Sequence, residues 1–218
     1  MASATEENYL KAMLKLSRDN GECTVSGLSN LLNVSTPTAN SMIKKLAEKK
    51  WIDYEKYKPL HLTSLGKKMA ALVLRKHRLT EMFLVESMGF GWEEVHEIAE
   101  QIEHINSEKF FDRMDVLLGH PSVDPHGSPI PHKDGSIQHK KYVKLSKAQI
   151  GKSYRLASLD QSSRDFLKFL NKRKIKLGLT LSVISIEEFD GSLVVRYGGN
   201  KNETLSKTVC QKLLVEEV

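Results

Sequence analysis

The chain has 218 residues, 40% of them hydrophobic and 28% charged, with 33 Lys and Arg against 27 Asp and Glu and a formal net charge of +6. That length can bury a core and hold two or three small domains, and the ordinary composition excludes a fibrous or disordered chain. The positive balance leans toward a polyanionic partner; no apolar run approaches the ~18 residues of a membrane span, and residues 1–7 lack the basic and apolar regions of a secretory leader, so a cytoplasmic location is expected.

In chain order, residues 5–19 read as an amphipathic helix with Tyr9, Leu10, Met13, Leu14 and Leu16 on one side, ended by Asn20-Gly21. Ser26 opens a short helix through Leu28, Leu31 and Leu32, and residues 33–36 turn. The next helix starts at Ser35-Thr36-Pro37, a hydroxyl cap with proline in the first turn, and runs to about Lys50. Residues 51–63 change to an alternating period around Tyr57-Lys58-Pro59 and predict the wing of a winged helix-turn-helix. A long helix from Ser64 to near Gly89, an acidic helix over 92–106 and a Ser107-capped helix to Leu118 follow, a helical segment of the kind that forms either a core or a dimerisation domain. Residues 119–135, with Pro121, Pro125, Pro129 and Pro131, form a non-helical connection. Beyond it, strands are expected at 142–145, 154–159, 179–186, 193–197 and 210–215 with one helix near 164–170, a small all-β barrel. The expected domains are thus 1–64, 65–135 and 136–218. Cys23 and Cys210 lie far apart without metal-ligand spacing and are expected to be reduced and structural.

The helix over 35–50 presents Ser35, Thr36, Pro37, Thr38, Asn40, Ser41, Lys44 and Lys45 on or near its N-terminal half. Small hydroxyl and amide groups there suit base edges, and Pro37 and Thr38 suit thymine methyls. Residues 44–58 hold six lysines against Glu48, Asp53 and Glu55, a charge that fits phosphate contacts. The plainer alternative is a solvated lysine face on a protein-binding winged helix.

Residues 93–108 contain six glutamates, two histidines and no Lys or Arg. On a helix, His96, Glu100, Glu103 and His104 share one arc of about 100°, where like charges repel and invite a cation. His77 and Glu81 stand at i and i+4 on the preceding helix. Six imidazole and carboxylate donors without thiolate suit Mn(II) or Fe(II), one or two ions per protomer, with Zn(II) also compatible. A di-metal enzyme is a competing reading, but the second Glu-x-x-His it needs on a facing helix is missing. A winged-helix regulator of a non-metal ligand is another.

Taken together, T-E-E-N-Y-L at 5–10, R-K-H-R-L-T-E at 75–81, E-V-H-E-I-A-E-Q-I-E-H at 94–104 and P-H-G-S-P-I-P at 125–131 resemble the diphtheria-toxin-repressor family of iron-dependent and manganese transport regulators. The resemblance covers nearly the whole chain. It implies a homodimeric, metal-activated repressor of metal-uptake genes on a palindromic DNA operator, with an SH3-like C-terminal domain, no membrane association and no small-molecule substrate. It matches His77, Glu81 and His96 to an ancillary metal site, and Glu100, Glu103, His104 and Asn8 to a primary one. Glu100 stands where iron-responsive members have cysteine, which favours Mn(II). The chain departs at Asn8, neither the usual Met nor Asp, and at Lys11, where manganese regulators carry Glu. In the third domain, Ser162 and Asp165 fall near expected ligand positions, and only Asp165 is a plausible donor.

Overall fold

A computed structural model describes residues 2–138, 140–199 and 201–218. Its contacts divide the chain into two units: residues 1–80, 98–122 and 130–138 form the first, and residues 81–97, 123–129 and 139–218 the second.

In the first unit, α1 (Ala4–Asn20) starts with a reciprocal capping box between Ser3 and Glu6. Helix α2 (Val25–Leu32) is capped by Thr24, two residues earlier than the expected Ser26, because the Thr24 hydroxyl accepts from the Gly27 amide. Helix α3 (Thr36–Glu48) begins as expected, with Ser35 as cap and proline in the first turn. The wing is shorter than its alternating pattern suggested: β1 (Ile52–Asp53) and β2 (His61–Leu62) pair over two residues each. Between them Tyr57 takes a positive φ of 68° and Pro59 offers no N–H, so the ladder cannot extend. Leu10, Met13, Leu28, Ile43, Leu46 and Leu60 are fully buried and form the core of this winged helix.

Helix α4 (Ser64–Glu86) and helix α5 (Val95–Ile102) each contribute to both units, and α6 (Glu108–Leu117) belongs to the first. The acidic helix expected over 92–106 is therefore a correction: it spans two turns, and Glu103 and His104 lie beyond its end, in a turn. That ending lets the Glu103 carboxylate turn inward, where it is wholly buried.

The second unit holds a six-stranded antiparallel sheet in the order β3-β8-β4-β5-β6-β7, where β3 is Val143–Lys144, β4 Ser153–Leu159, β5 Thr180–Ile186, β6 Leu193–Tyr197, β7 Lys201–Leu205 and β8 Leu213–Glu217. Helix α7 (Arg164–Lys172) packs Phe166, Leu167 and Leu170 into its core. Strand 210–215 is a second correction. Ser206 caps a short α8 (Lys207–Lys212) by accepting from the Val209 amide, so Cys210 is helical and the strand starts at Leu213. Strand β7 escaped the sequence reading because its polar run K-N-E-T carries little apolar signal. Both cysteines are free and buried; burial pushes their thiols up to about 11 (Cys23) and about 12 (Cys210), which makes them unreactive packing residues. Among the described residues no helix is long and apolar enough to cross a membrane.

One ion-pair group fixes α3 against α1. The buried Glu6 carboxylate accepts from Lys49 Nζ at 2.7 Å and lies 3.1 Å from Lys45 Nζ. Burial alone pushes this carboxyl up, but Lys49, the Ser3 amide and Lys45 outweigh it and hold the group at about 2. Because the folded value is depressed below the ordinary 4.5, the stabilisation is complete above pH 4.5 and is lost as pH falls toward 2. Glu6→Gln is expected to destabilise the protein by about 1–2 kcal/mol at neutral pH. In denaturant melts run from pH 7 to 3, the gap between variant and parent should narrow below pH 4.5; a constant gap would show that the charge is not what matters.

Candidate metal centre and nucleic-acid interface

On α3, Ser35, Thr36, Pro37, Thr38, Ser41, Lys44 and Lys45 are exposed and Asn40 is half-buried, while Ala39, Ile43 and Leu46 point into the core. Alternate faces of one helix thus separate packing from contact. Ser35 Oγ shares a 2.8 Å hydrogen bond with Thr38 Oγ1, and Ser41 Oγ donates to the Pro37 carbonyl at 3.1 Å. These bonds hold the small polar groups in fixed positions at the helix N-terminus. Lys45 differs from the others because it also faces Glu6. At the wing tip, Tyr57 is almost fully exposed and the Lys56 ammonium lies 4.9 Å from its ring centroid.

Each unit contains candidate metal ligands of its own. In the first unit, ligand atoms of His77, Glu100 and Glu103 lie within 4.8 Å of one another. Lys11, from α1, stands among them. Its ammonium is 2.7 Å from Glu100 Oε1 and 2.6 and 2.8 Å from the two oxygens of Glu103. His77 Nδ1 meets Glu103 Oε2 at 2.6 Å. His104 turns its Nδ1 to Glu7 Oε2 at 2.6 Å, with its Nε2 3.5 Å from Glu103 Oε1. Asn8 Oδ1 is buried without a hydrogen-bond partner. Sequence reasoning noted Lys11 as a departure and did not single out Glu7.

In the second unit, Glu81, Asp124 and His126 are each at most 4% exposed, and their ligand atoms lie within 4.8 Å of one another. His126 Nδ1 is 3.8 Å from Glu81 Oε2 and 4.0 Å from Asp124 Oδ1. The other ring nitrogen, Nε2, is 2.9 Å from the Trp92 carbonyl. A carbonyl only accepts, so Nε2 carries a proton, and Nδ1 is the ring nitrogen that faces the two carboxylates. His96, largely exposed, places Nδ1 3.2 Å from Glu81 Oε1.

The loop that supplies Asp124 and His126 is held from several sides. Asp124 Oδ1 accepts from the amides of His126 (2.8 Å) and Ser128 (3.0 Å), an Asx turn. Strand β4 donates to the His126 carbonyl from the Leu159 amide and the Ser158 hydroxyl. The Trp92 ring stacks on His126 at 5.9 Å between centroids, and its Nε1 donates to Asn171 of α7. Neither Asp124 nor His126 was picked out from sequence. The signal was D-x-H at 124–126, overlapping the start of the P-H-G-S-P-I-P stretch, a loop without periodicity. Ser162 and Asp165 are exposed, Asp165 in the first turn of α7, and neither belongs to a metal-competent group among the described residues.

The residues of the second group fit a hard dication. Two donors on a common ion, each at about 2.1 Å, stand about 3–4 Å apart, the spacing seen between His126 Nδ1 and the two carboxylates. The imidazole is oriented by a carbonyl, as metal-binding histidines generally are. In the first group, the ammonium of Lys11 already meets both carboxylates.

Comparison with known proteins agrees along the whole chain. The family model for the iron dependent repressor N-terminal DNA binding domain matches residues 1–60, that for the iron dependent repressor metal binding and dimerisation domain matches 63–132, and the FeoA domain model matches 143–217. The iron-dependent repressor IdeR of Mycobacterium leprae is 27% identical over 224 residues, covering 98% of this chain and 97% of its own. The HTH-type transcriptional regulator MntR of Oceanobacillus iheyensis is 30% identical over 154 residues, 70% of this chain and 98% of the relative. Among solved structures, a manganese-dependent transcriptional repressor in complex with manganese superposes with a TM-score of 0.89 at 31% identity, covering 97% of this chain and 99% of the other. ScaR with bound Zn2+ gives 0.79 at 32% identity, covering 98% and 99%. With its winged helix, its helical segment and its C-terminal sheet all matched, the chain belongs to the iron dependent repressor family.

Proposed function

We propose that this protein is a homodimeric transcriptional repressor whose operator binding is switched on by a divalent cation, Mn(II) or Fe(II), to control metal-uptake genes. Membership of a repressor family sets aside the di-metal enzyme alternative. The single observation that carries the metal reading is the buried trio Glu81, Asp124 and His126, with imidazole Nδ1 3.8 Å from one carboxylate and 4.0 Å from the other. Of the ligands read from sequence, Glu81 belongs to this centre and His96 borders it, while His77, Asn8, Glu100, Glu103 and His104 lie in the other unit.

A bound dication brings two positive charges to two buried carboxylates. Desolvating Glu81 and Asp124 side by side costs several kcal/mol per ion before any partner is counted, and a dication offsets that cost directly. Glu81 belongs to α4, while Asp124 and His126 belong to a separate loop, so closing this trio joins segments distant in sequence. An all-N/O donor set favours Mn(II) or Fe(II) over softer ions.

On the DNA side, Ser35, Thr36, Pro37, Thr38, Asn40 and Ser41 offer short polar and methyl contacts to major-groove edges, and Lys44 and Lys45 offer phosphate contacts. A two-fold dimer would present two such helices to a palindrome. The exposed apolar side chains Phe110, Val116 and Leu117 on α6 support a second copy as the partner.

The test is a titration of the full-length protein against an operator selected from random duplexes in the presence of Mn(II). Affinity should be about 100-fold tighter with Mn(II) or Fe(II) than in chelator. Equal affinity in chelator would reject metal activation.

A further inference from the structure

We infer that Lys11 is a resident cation of the pocket formed by Glu100 and Glu103, a metal-free strap that holds α1 against the C-terminal end of α5. An ammonium has three donors. Here they meet three carboxylate oxygens, at 2.6, 2.7 and 2.8 Å. The lysine side chain is 17% exposed and Glu103 wholly buried, so this pair is screened little by solvent. Glu103 is fully engaged: both oxygens meet Lys11, and Oε2 also meets His77.

A second rung lies one turn earlier on α1. Glu7 and Lys11 are i and i+4, on one face, and Glu7 meets His104 while Lys11 meets Glu100 and Glu103. The two rungs alternate in charge, so α1 offers an acid to a histidine and a base to two acids. A dication entering this pocket would have to expel a tethered ammonium whose local concentration never falls. The pocket is therefore built from acids able to ligate metal, yet closed by a charge that belongs to the chain. It follows that α1 is docked whether or not metal is present, and that each protomer takes up one activating ion, not two.

This inference goes beyond the proposed function and rests on it only for the count of one ion at the Glu81 centre. The experiment is equilibrium Mn(II) binding, with free Mn(II) read by electron paramagnetic resonance, on the full-length protein, Lys11→Gln and Lys11→Arg. Parent and Lys11→Arg should bind one ion per protomer and Lys11→Gln two. Two ions on the parent, or a folded Lys11→Gln that binds no more ions than the parent, would overturn the strap. Melting provides a second measurement if Lys11→Gln folds poorly: in chelator it should melt about 10 °C below the parent, and Mn(II) should restore it. Equal melting in chelator would also overturn the inference. The two proposals fail separately, because a parent that binds no ion beside a Lys11→Gln that binds one would leave the strap standing and remove the Glu81 centre.

Discussion

Glu81→Gln should lower Mn(II) affinity by at least about 100-fold and reduce metal-dependent operator binding to the level seen in chelator. Glutamine keeps the shape and one carbonyl oxygen but removes the charge. Asp124 would then be the only carboxylate left in the trio, and a hard dication depends on anionic oxygen. The same substitution should not weaken the metal-free protein. Glu81 and Asp124 are both at most 4% exposed, so removing one of two buried like charges relieves repulsion and should raise the melting temperature in chelator by a few degrees. This opposite movement of metal affinity and metal-free stability distinguishes a ligand from a merely structural carboxylate. A variant that loses stability and keeps its Mn(II) affinity would place the metal elsewhere.

Local chemistry made the N-terminal half readable. Ser35-Thr36-Pro37 is a cap and first turn whatever surrounds it, and α3 begins there. The apolar spacing of Tyr9, Leu10 and Met13 names the buried face of α1, where all three are at most 3% exposed. Most strands and α7 follow from alternation and caps, except where the signal was polar, as in β7, or masked by an apolar run, as in α8 and β8.

The metal-competent groups were only half legible, for a different reason. Histidine and glutamate at helical spacing announce shared faces, but a face does not name its partner. The helical arc drawn through His96, Glu100, Glu103 and His104 ends at Ile102 in the structure, and the two later residues are aimed by a turn. Glu103 finds Lys11 at a separation of 92 residues, a pairing that no local period encodes. Asp124 and His126 sit in a loop whose form is set by an Asx turn and by hydrogen bonds to β4, so their convergence on Glu81 is a tertiary fact.

That loop also yields the second large effect: Gly127→Ala should cost about 3–4 kcal/mol of stability and weaken Mn(II) binding by about 10–100-fold. Gly127 has a φ of +83°, and a Cβ built on it would lie 2.3 Å from the Ala157 carbonyl oxygen and 2.7 Å from Ser158 Cα. Both are backbone atoms of β4, in the middle of the sheet, and cannot rotate away as a side chain would. The loop must therefore retreat, and the bonds that would break are those from Leu159 and Ser158 to the His126 carbonyl. Loss of that anchor shifts the imidazole from its place between Glu81 and Asp124. A control separates this clash from the cost of the left-handed backbone. Gly151 has a φ of +81°, and a Cβ added there would meet nothing within 4 Å, so Gly151→Ala should cost only about 1–2 kcal/mol and leave Mn(II) affinity unchanged. Melting and Mn(II) titration of the two variants side by side would decide the matter: if Gly127→Ala matched Gly151→Ala in both, β4 would not be what positions His126.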